Sequence, residues 1–420
     1  MMKTISRILF FILCAWPLCS VAQSLTLGEC LVLARKNYPL IRQYRLVEQS
    51  RGFTLANASK AWLPQVGVSA GAYAFTDIIN GEGMPGNVGL DMKNHVAVGS
   101  VSVSQNIYDG GQTAARRRVV KAQAEVESRQ LDVSLYEVDG RVEELFFGIL
   151  LLDEQIKQNW LLQEDLGISR KAAESRLKNG MANSVDINLI EVEMLKARQQ
   201  NEAFDGSRSA FLRMLAVFIG RSVEDDVTLE RPSAVKPLAW GQSLVARPEL
   251  DYYSAQNSLI AQRRRQLDAA LMPRVSAFAM GMAHTRVTDM VKDNMLFGGI
   301  TLSWNIGSLY TRKNDLRNID LKKQEIDVMR DTFLFNNRLQ HEQSRGSLDA
   351  LERQVKLDGD IVSLRERIRG QSETKVKMGT ESTYELLRNI NAASQAHLQK
   401  AMHELQMLRE AYRMEHIINR

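Results

Sequence analysis

Cysteine is almost missing from this sequence: three in 420 residues, at Cys14, Cys19 and Cys30. The first two fall in a leader-like N-terminus. A mature chain would keep Cys30 alone, which excludes an intramolecular disulfide or a thiolate metal cluster. Long apolar runs are missing too. The best mature one, Leu145–Leu152, covers eight residues, well short of the 18 or so a spanning helix needs. There is no H-E-x-x-H and no P-loop, and the one G-x-S-x-G, Gly67-Val68-Ser69-Ala70-Gly71, sits inside a period-2 segment rather than at a strand-to-helix turn, so no catalytic or cofactor motif supports an enzyme. Of the six histidines, His397 and His403 stand at i, i+6, a poor ligand pair on a helix. The sequence is read as a non-enzyme with no cofactor, no catalytic residue and no metal site. A net charge of +5 falls to +3 once Lys3 and Arg7 leave with the leader, too mild for a nucleic-acid binder.

The N-terminus carries Lys3 and Arg7, the apolar run Ile8–Leu18, and Ser20-Val21-Ala22 ahead of Gln23. A basic segment, a short apolar core and a small-x-small site predict a signal peptide over 1–22 and an exported chain. Eleven apolar residues interrupted by Pro17 are too few for an anchor. Trp16-Pro17-Leu18 before Cys19 does not fit a lipoprotein. Any membrane beyond the inner one would be met with β-strands.

Proline is also scarce, and its placing is informative. Four of the eight form two pairs, Pro39/Pro64 and Pro248/Pro273, each 25 residues apart and offset by 209. None occurs in 86–231 or in 274–420. Because a proline inside a helix costs ~3 kcal/mol, these stretches are candidates for very long helices. The pairing is an internal duplication. WLPQVGVSAGAY at 62 matches LMPRVSAFAMGM at 271, SVSQNIYDGG at 102 matches TLSWNIGSLY at 301, and RLKNGMANSVD at 176 matches KVKMGTESTYE at 375. Asn106 to Gly180 and Asn305 to Gly379 each span 74 residues.

Within a repeat the hydrophobic period changes. Val66, Val68, Ala70 and Ala72 alternate with Gly67, Ser69 and Gly71, as Ile300, Leu302 and Trp304 do with Thr301 and Ser303. These are period-2 segments of the length of tilted membrane strands, with Ser102 and Ser104 on the lumen side. Asp109-Gly110-Gly111 then turns the chain from strand to helix. From Leu131 through Leu135, Val138, Val142, Leu145, Ile149 and Leu152 to Ile156 the apolar steps run 4-3-4-3-4-3-4, a coiled-coil seam. Leu398, Ala401, Leu405, Leu408 and Tyr412 repeat it. A 74-residue helix would be on the order of 110 Å long.

Each repeat is therefore predicted to be two strands followed by a long helical hairpin that folds back at Gly180 or Gly379. The first covers 23–240, with strands near 65–75 and 96–105, a hairpin near 112–219 and a linker. The second covers 241–420, with strands near 274–282 and 296–305 and a hairpin near 309–418. Four membrane strands cannot close, and an open edge in hydrocarbon costs several kcal/mol per unsatisfied group. The chain must oligomerise; three copies would give twelve strands, and two would give eight.

Other motifs are read plainly. Gly81-Glu82-Gly83-Met84-Pro85-Gly86 spells G-x-G-x-x-G, but NVGLDMKNH follows it, with no helix to hold a pyrophosphate. It is read as an extracellular loop. Arg116-Arg117-Arg118 and Arg263-Arg264-Arg265 lie one or two turns from a strand, where phosphate-rich membrane surface is the expected contact. Cys30 is read as a buried residue of a short helix.

Several motifs together resemble the TolC-like outer-membrane efflux proteins: LTLGECLVLARKNYPLI, LPQVGVSAG, VSQNIYDGGQTAARR, RLKNGMANSVDINL and LAVFIG, in order, duplicated and behind a leader. The resemblance implies a mainly α fold with membrane β: a homotrimer with a 12-stranded outer-membrane barrel continuing into a 12-helix periplasmic barrel. Its partners would be outer-membrane lipid, a periplasmic adaptor and an inner-membrane RND or ABC transporter, with drugs or secreted peptides as cargo. The adaptor would meet the hairpin turns at Arg176, Leu177, Gly180, Ser184, Val376, Gly379 and Thr380. Acidic residues just past the second turn narrow the pore in the family. The matching positions are Glu385 and Arg388, so one acid is replaced by a base, with Asp186 the first-repeat counterpart of Glu385. First-turn acids also suit a helix dipole without any pore. Two rival readings, a periplasmic adaptor and an exported coiled-coil scaffold, leave the two hairpins or the strand pairs unexplained.

Overall fold

The computed structural model describes residues 24–74, 95–180, 182–223, 226–235, 245–284 and 294–418. The leader and the Gly81–Gly86 run lie outside them. The helices are α1 (Leu27–Asn37), α2 (Ile41–Ser59), α3 (Gln112–Lys178), α4 (Ser184–Ile219), α5 (Pro248–Ala270), α6 (Ser308–Lys377) and α7 (Thr383–Ile418). The strands are β1 (Gln65–Ala74), β2 (His95–Tyr108), β3 (Arg274–His284) and β4 (Asn294–Ser303). α3 and α6 run unbroken for 67 and 70 residues, as the lack of internal proline allows. The chain divides into two compact units, one of residues 42–133 and 248–333, the other holding the remainder.

In the first unit the strands form one antiparallel sheet in the order β1-β2-β3-β4. Pairing is regular except for a bulge at Ile107, between Asn106 and Tyr108. Directly paired residues share a face. Val66 pairs with Val103, Val68 with Val101, Gly281 with Leu296 and Ala277 with Ile300, so one face is aliphatic. The opposite face carries Ser69, Ser100, Ser102, Ser104, Ser276 and Thr301, with Phe278, Phe297, Met280 and Met282 among them. β2 extends three residues past its expected end. The sheet buries neither face: Leu296 is 84% exposed on the aliphatic side and Phe297 42% on the other.

The turn from β2 into α3 is made by Asp109. Its carboxylate accepts from the Gly111 amide (2.9 Å) and the Thr113 amide (2.7 Å), satisfying donors at the helix start. Tyr44 of α2 hydrogen-bonds Asp132 of α3, and Asn257 of α5 donates to Asp327 of α6 at 3.3 Å.

The second unit is helical and holds the main core. Val138, Val142, Phe146, Phe147 and Ile149 of α3 pack with Leu212, Leu215 and Ile219 of α4, Leu405 and Leu408 of α7, and Cys30 and Ala34 of α1. These include members of the 4-3 seam. α1 opens with a capping box between Thr26 and Glu29. The segment expected as a linker is partly built into this core: Leu25 and Leu229 form a parallel bridge, with Leu25 N donating to Thr228 O at 3.1 Å. Arg208 of α4 holds the same segment through Val227 O at 2.8 Å. Among the described residues no helix is long and apolar enough to cross a membrane.

Candidate functional site: the two hairpin turns

Both hairpins turn on a glycine in the left-handed region, Gly180 (φ 70°) and Gly379 (φ 75°), where a side chain would be strained. Gly180 N donates to Leu177 O at 3.0 Å, and Gly379 N to Val376 O at 3.2 Å. In the second turn Thr380 N also reaches back to Lys375 O at 2.9 Å, closing α6. The return helices start differently. α4 begins with a capping box in which Asn183 accepts from Val185 N (3.3 Å) and Asp186 accepts from Asn183 N (3.0 Å). Ser382 precedes α7, and its hydroxyl accepts from Glu385 N at 3.2 Å.

The two turns are brought together by Arg176. Its guanidinium donates to Val376 O (2.9 Å) at the end of α6 and to the Thr383 hydroxyl (3.4 Å) at the start of α7. A cation at a helix C-terminus offsets the negative end of its dipole. Beneath it, Leu166, Ala173, Ile190, Val376, Leu386, Leu387 and Ile390 form a core drawn from all four helices. Farther along, Arg369 of α6 makes a forked pair with Asp165 of α3 at 2.8 and 2.9 Å and bonds Glu373 at 3.1 Å. Burial opposes the Arg369 charge, but the Glu373 hydrogen bond and the Asp165, Glu366 and Glu373 charges win, so its pKa rises. Asn391 of α7 donates to Glu193 of α4 at 3.1 Å. His397 and His403 each pair with a carboxylate of α6, Glu366 at 2.8 Å and Asp358 at 2.7 Å.

The expected site residues divide by exposure. Leu177, Gly180, Ser184, Gly379 and Thr380 lie on the surface of the turns. Arg176 is half-buried in its bridging role, and Val376 is 3% exposed in the core. Asp186 is engaged in its capping box. Glu385 and Arg388, one helical turn apart, form a 2.8 Å ion pair. Sequence reasoning passed over Met378 and Tyr384, both exposed beside the second turn, and Val185 beside the first. The signal for them was a large apolar residue next to a turn glycine or in a first helical turn.

Comparisons with known proteins fit this geometry. The model of the outer membrane efflux protein family matches residues 30–221. No curated protein matches the sequence. Among solved structures, the chain is similar to the outer membrane protein VceC of Vibrio cholerae, at 12% identity and TM-score 0.65, covering 93% of this chain and 94% of that one. It is similar to the CmeC outer membrane channel of Campylobacter jejuni, at 14% identity and TM-score 0.64 over 93% and 85% of the two chains. It is also similar to the open state of the MtrE outer membrane channel of Neisseria gonorrhoeae, at 12% identity and TM-score 0.66 over 93% and 88%. The outer membrane efflux protein model thus matches the first repeat, and the chain shares the fold of these outer membrane channels over about nine-tenths of its length.

Proposed function

We propose that the chain is one protomer of a passive exit duct in the outer membrane, a homotrimer whose twelve strands close a barrel. The observation that carries this reading is the sheet. It has two free edges, β1 and β4, and a mostly aliphatic face whose Val66, Val68, Leu296 and Ile300 are exposed. In water such a face is unfavourable at about 25 cal/mol per Å², and in lipid free edges are costlier still. Further copies pairing at the edges, with lipid against the aliphatic face and cargo along the serine-bearing face, satisfy both demands. The match of residues 30–221 to the outer membrane efflux protein model supports efflux as the task, and a location in the outer membrane extending into the periplasm.

The hairpin turns would receive the periplasmic adaptor of a tripartite efflux or type I secretion system. Leu177, Gly180, Ser184, Gly379 and Thr380 would make contact, and Arg176 and Val376 would hold them in shape. Glu385 would contribute to the pore constriction with its charge offset by Arg388, and Asp186 less so. The inner-membrane RND or ABC pump, not the duct, would select the cargo.

The test is fractionation with cross-linking. The mature protein is expected with outer membranes, needing detergent, and cross-linking to three chains. Recovery as a soluble periplasmic monomer would overturn the duct. Cysteines replacing Leu177 and Thr380 should cross-link to an adaptor in cells, and silence at both would remove the adaptor from these turns.

A further inference from the structure

We infer that the cavity at the strand–helix junction binds the phosphate of an anionic membrane phospholipid; this rests on the reading of the strands as membrane-embedded. The cavity encloses about 570 Å³ between the end of α2, the ends of β1 and β2, the start of α3 and the α5–β3 connection. Its ionisable lining is Lys60, Arg116 and Arg274 against one acid, Asp109. The Asp109 oxygens already accept from the Gly111 and Thr113 amides, so its charge is turned into the helix start. The Lys60 ammonium and the Arg116 guanidinium have no hydrogen-bond or ion-pair partner among the described residues.

A fourth group makes this more than a basic patch. Arg274 Nη2 donates to Gln112 Oε1 at 2.6 Å, which fixes the amide, because the flipped form would set donor against donor. Gln112 Nε2 is left buried with no acceptor, an unfavourable state for a donor. A phosphate oxygen in the cavity would accept from it while its charge met Lys60 and Arg116. Anion chemistry is what this set of donors fits.

The surroundings point to a lipid as the source. The pairs Gln65–Ser104 and Arg274–Ser303 put the cavity at one end of the sheet. At that end Trp62, Tyr108, Trp304 and Tyr310 are all exposed, with Ile107 and Ile306 beside them. Aromatic side chains gather at headgroup depth in membrane proteins, and cations at that depth meet lipid phosphates. A free anion would need the cations but not the belt.

The experiment is native mass spectrometry of the full-length protein in detergent, titrated with phosphatidylglycerol or phosphatidylcholine. Phosphatidylglycerol should be retained selectively. Lys60→Gln should weaken it about fivefold, and Lys60→Gln/Arg116→Gln/Arg274→Gln about a hundredfold. Lys60→Gln/Arg116→Gln leaves the Arg274–Gln112 bond intact and should still lose about twenty-five-fold. Arg117→Gln, outside the cavity lining, should change nothing. Equal loss from Arg117→Gln, or none from the double variant, would overturn the site. Displacement of phosphatidylglycerol by equimolar inorganic phosphate would reassign it to free anions and overturn the lipid. A chain that stays soluble without detergent would overturn the membrane reading, and this inference with it.

Discussion

Asp109 shows how much of this fold depends on single polar groups. Burial raises its pKa, but hydrogen bonds from the Thr113 hydroxyl and the Thr113 and Gly111 amides outweigh burial and hold the carboxyl below its usual range. A lowered folded pKa means that the stabilisation is complete above the unfolded value near 4 and fades as pH falls through the folded value. Asp109→Ala should cost about 1 kcal/mol at neutral pH. In thermal melts of the detergent-solubilised protein, its gap from the parent should close once pH drops below about 4; a gap unchanged by acid would deny the cap its charge. Cys30 behaves oppositely. Burial pushes its thiol up to about 11, with Arg221 lowering it and Glu29 raising it to smaller extents. The reactive thiolate is therefore scarce at neutral pH, and a maleimide should label Cys30 only after denaturation.

Among the elements, the hairpins carry both the clearest sequence signal and its main blind spot. The proline-free stretches, the 4-3 seam and the paired turn glycines make each hairpin legible, because period and backbone restriction are local properties. Arg176 reaching Val376 and Thr383, and Arg369 reaching Asp165, join residues about two hundred positions apart. No local pattern announces such pairs. The bridge of Leu25 to Leu229 was hidden for the same reason, inside a segment whose composition reads as a linker. At the candidate site, the glycines and first-turn acids were legible. The core position of Val376 and the ion pair between Glu385 and Arg388 needed the packing of four helices. Arg369→Ala leaves Asp165 without its forked partner and should destabilise this end of the bundle by about 2 kcal/mol. Hydrogen exchange should quicken in the first turns of α4 and α7 and stay unchanged in the strands. A uniform change throughout the chain would mean that the pair does not act locally.

For the whole molecule, the duplication explains why one chain brings four strands and two hairpins yet remains incomplete. Each repeat is one strand pair plus one hairpin, and two repeats still leave β1 and β4 as edges. At the proposed constriction, Glu385 and Arg388 are paired, so the parent pore should select weakly for cations. Arg388→Ala should raise cation selectivity, Glu385→Ala should abolish or invert it, and reversal potentials in a salt gradient would register both. The central claim, that copies of this chain close a continuous duct, is tested most directly by single-channel recording. The purified protein and its Arg176→Ala/Arg369→Ala variant would be compared in planar bilayers. The account predicts discrete conductance steps, larger in the variant whose turns are untied. A protein that enters the bilayer and passes no current in either form would contradict it.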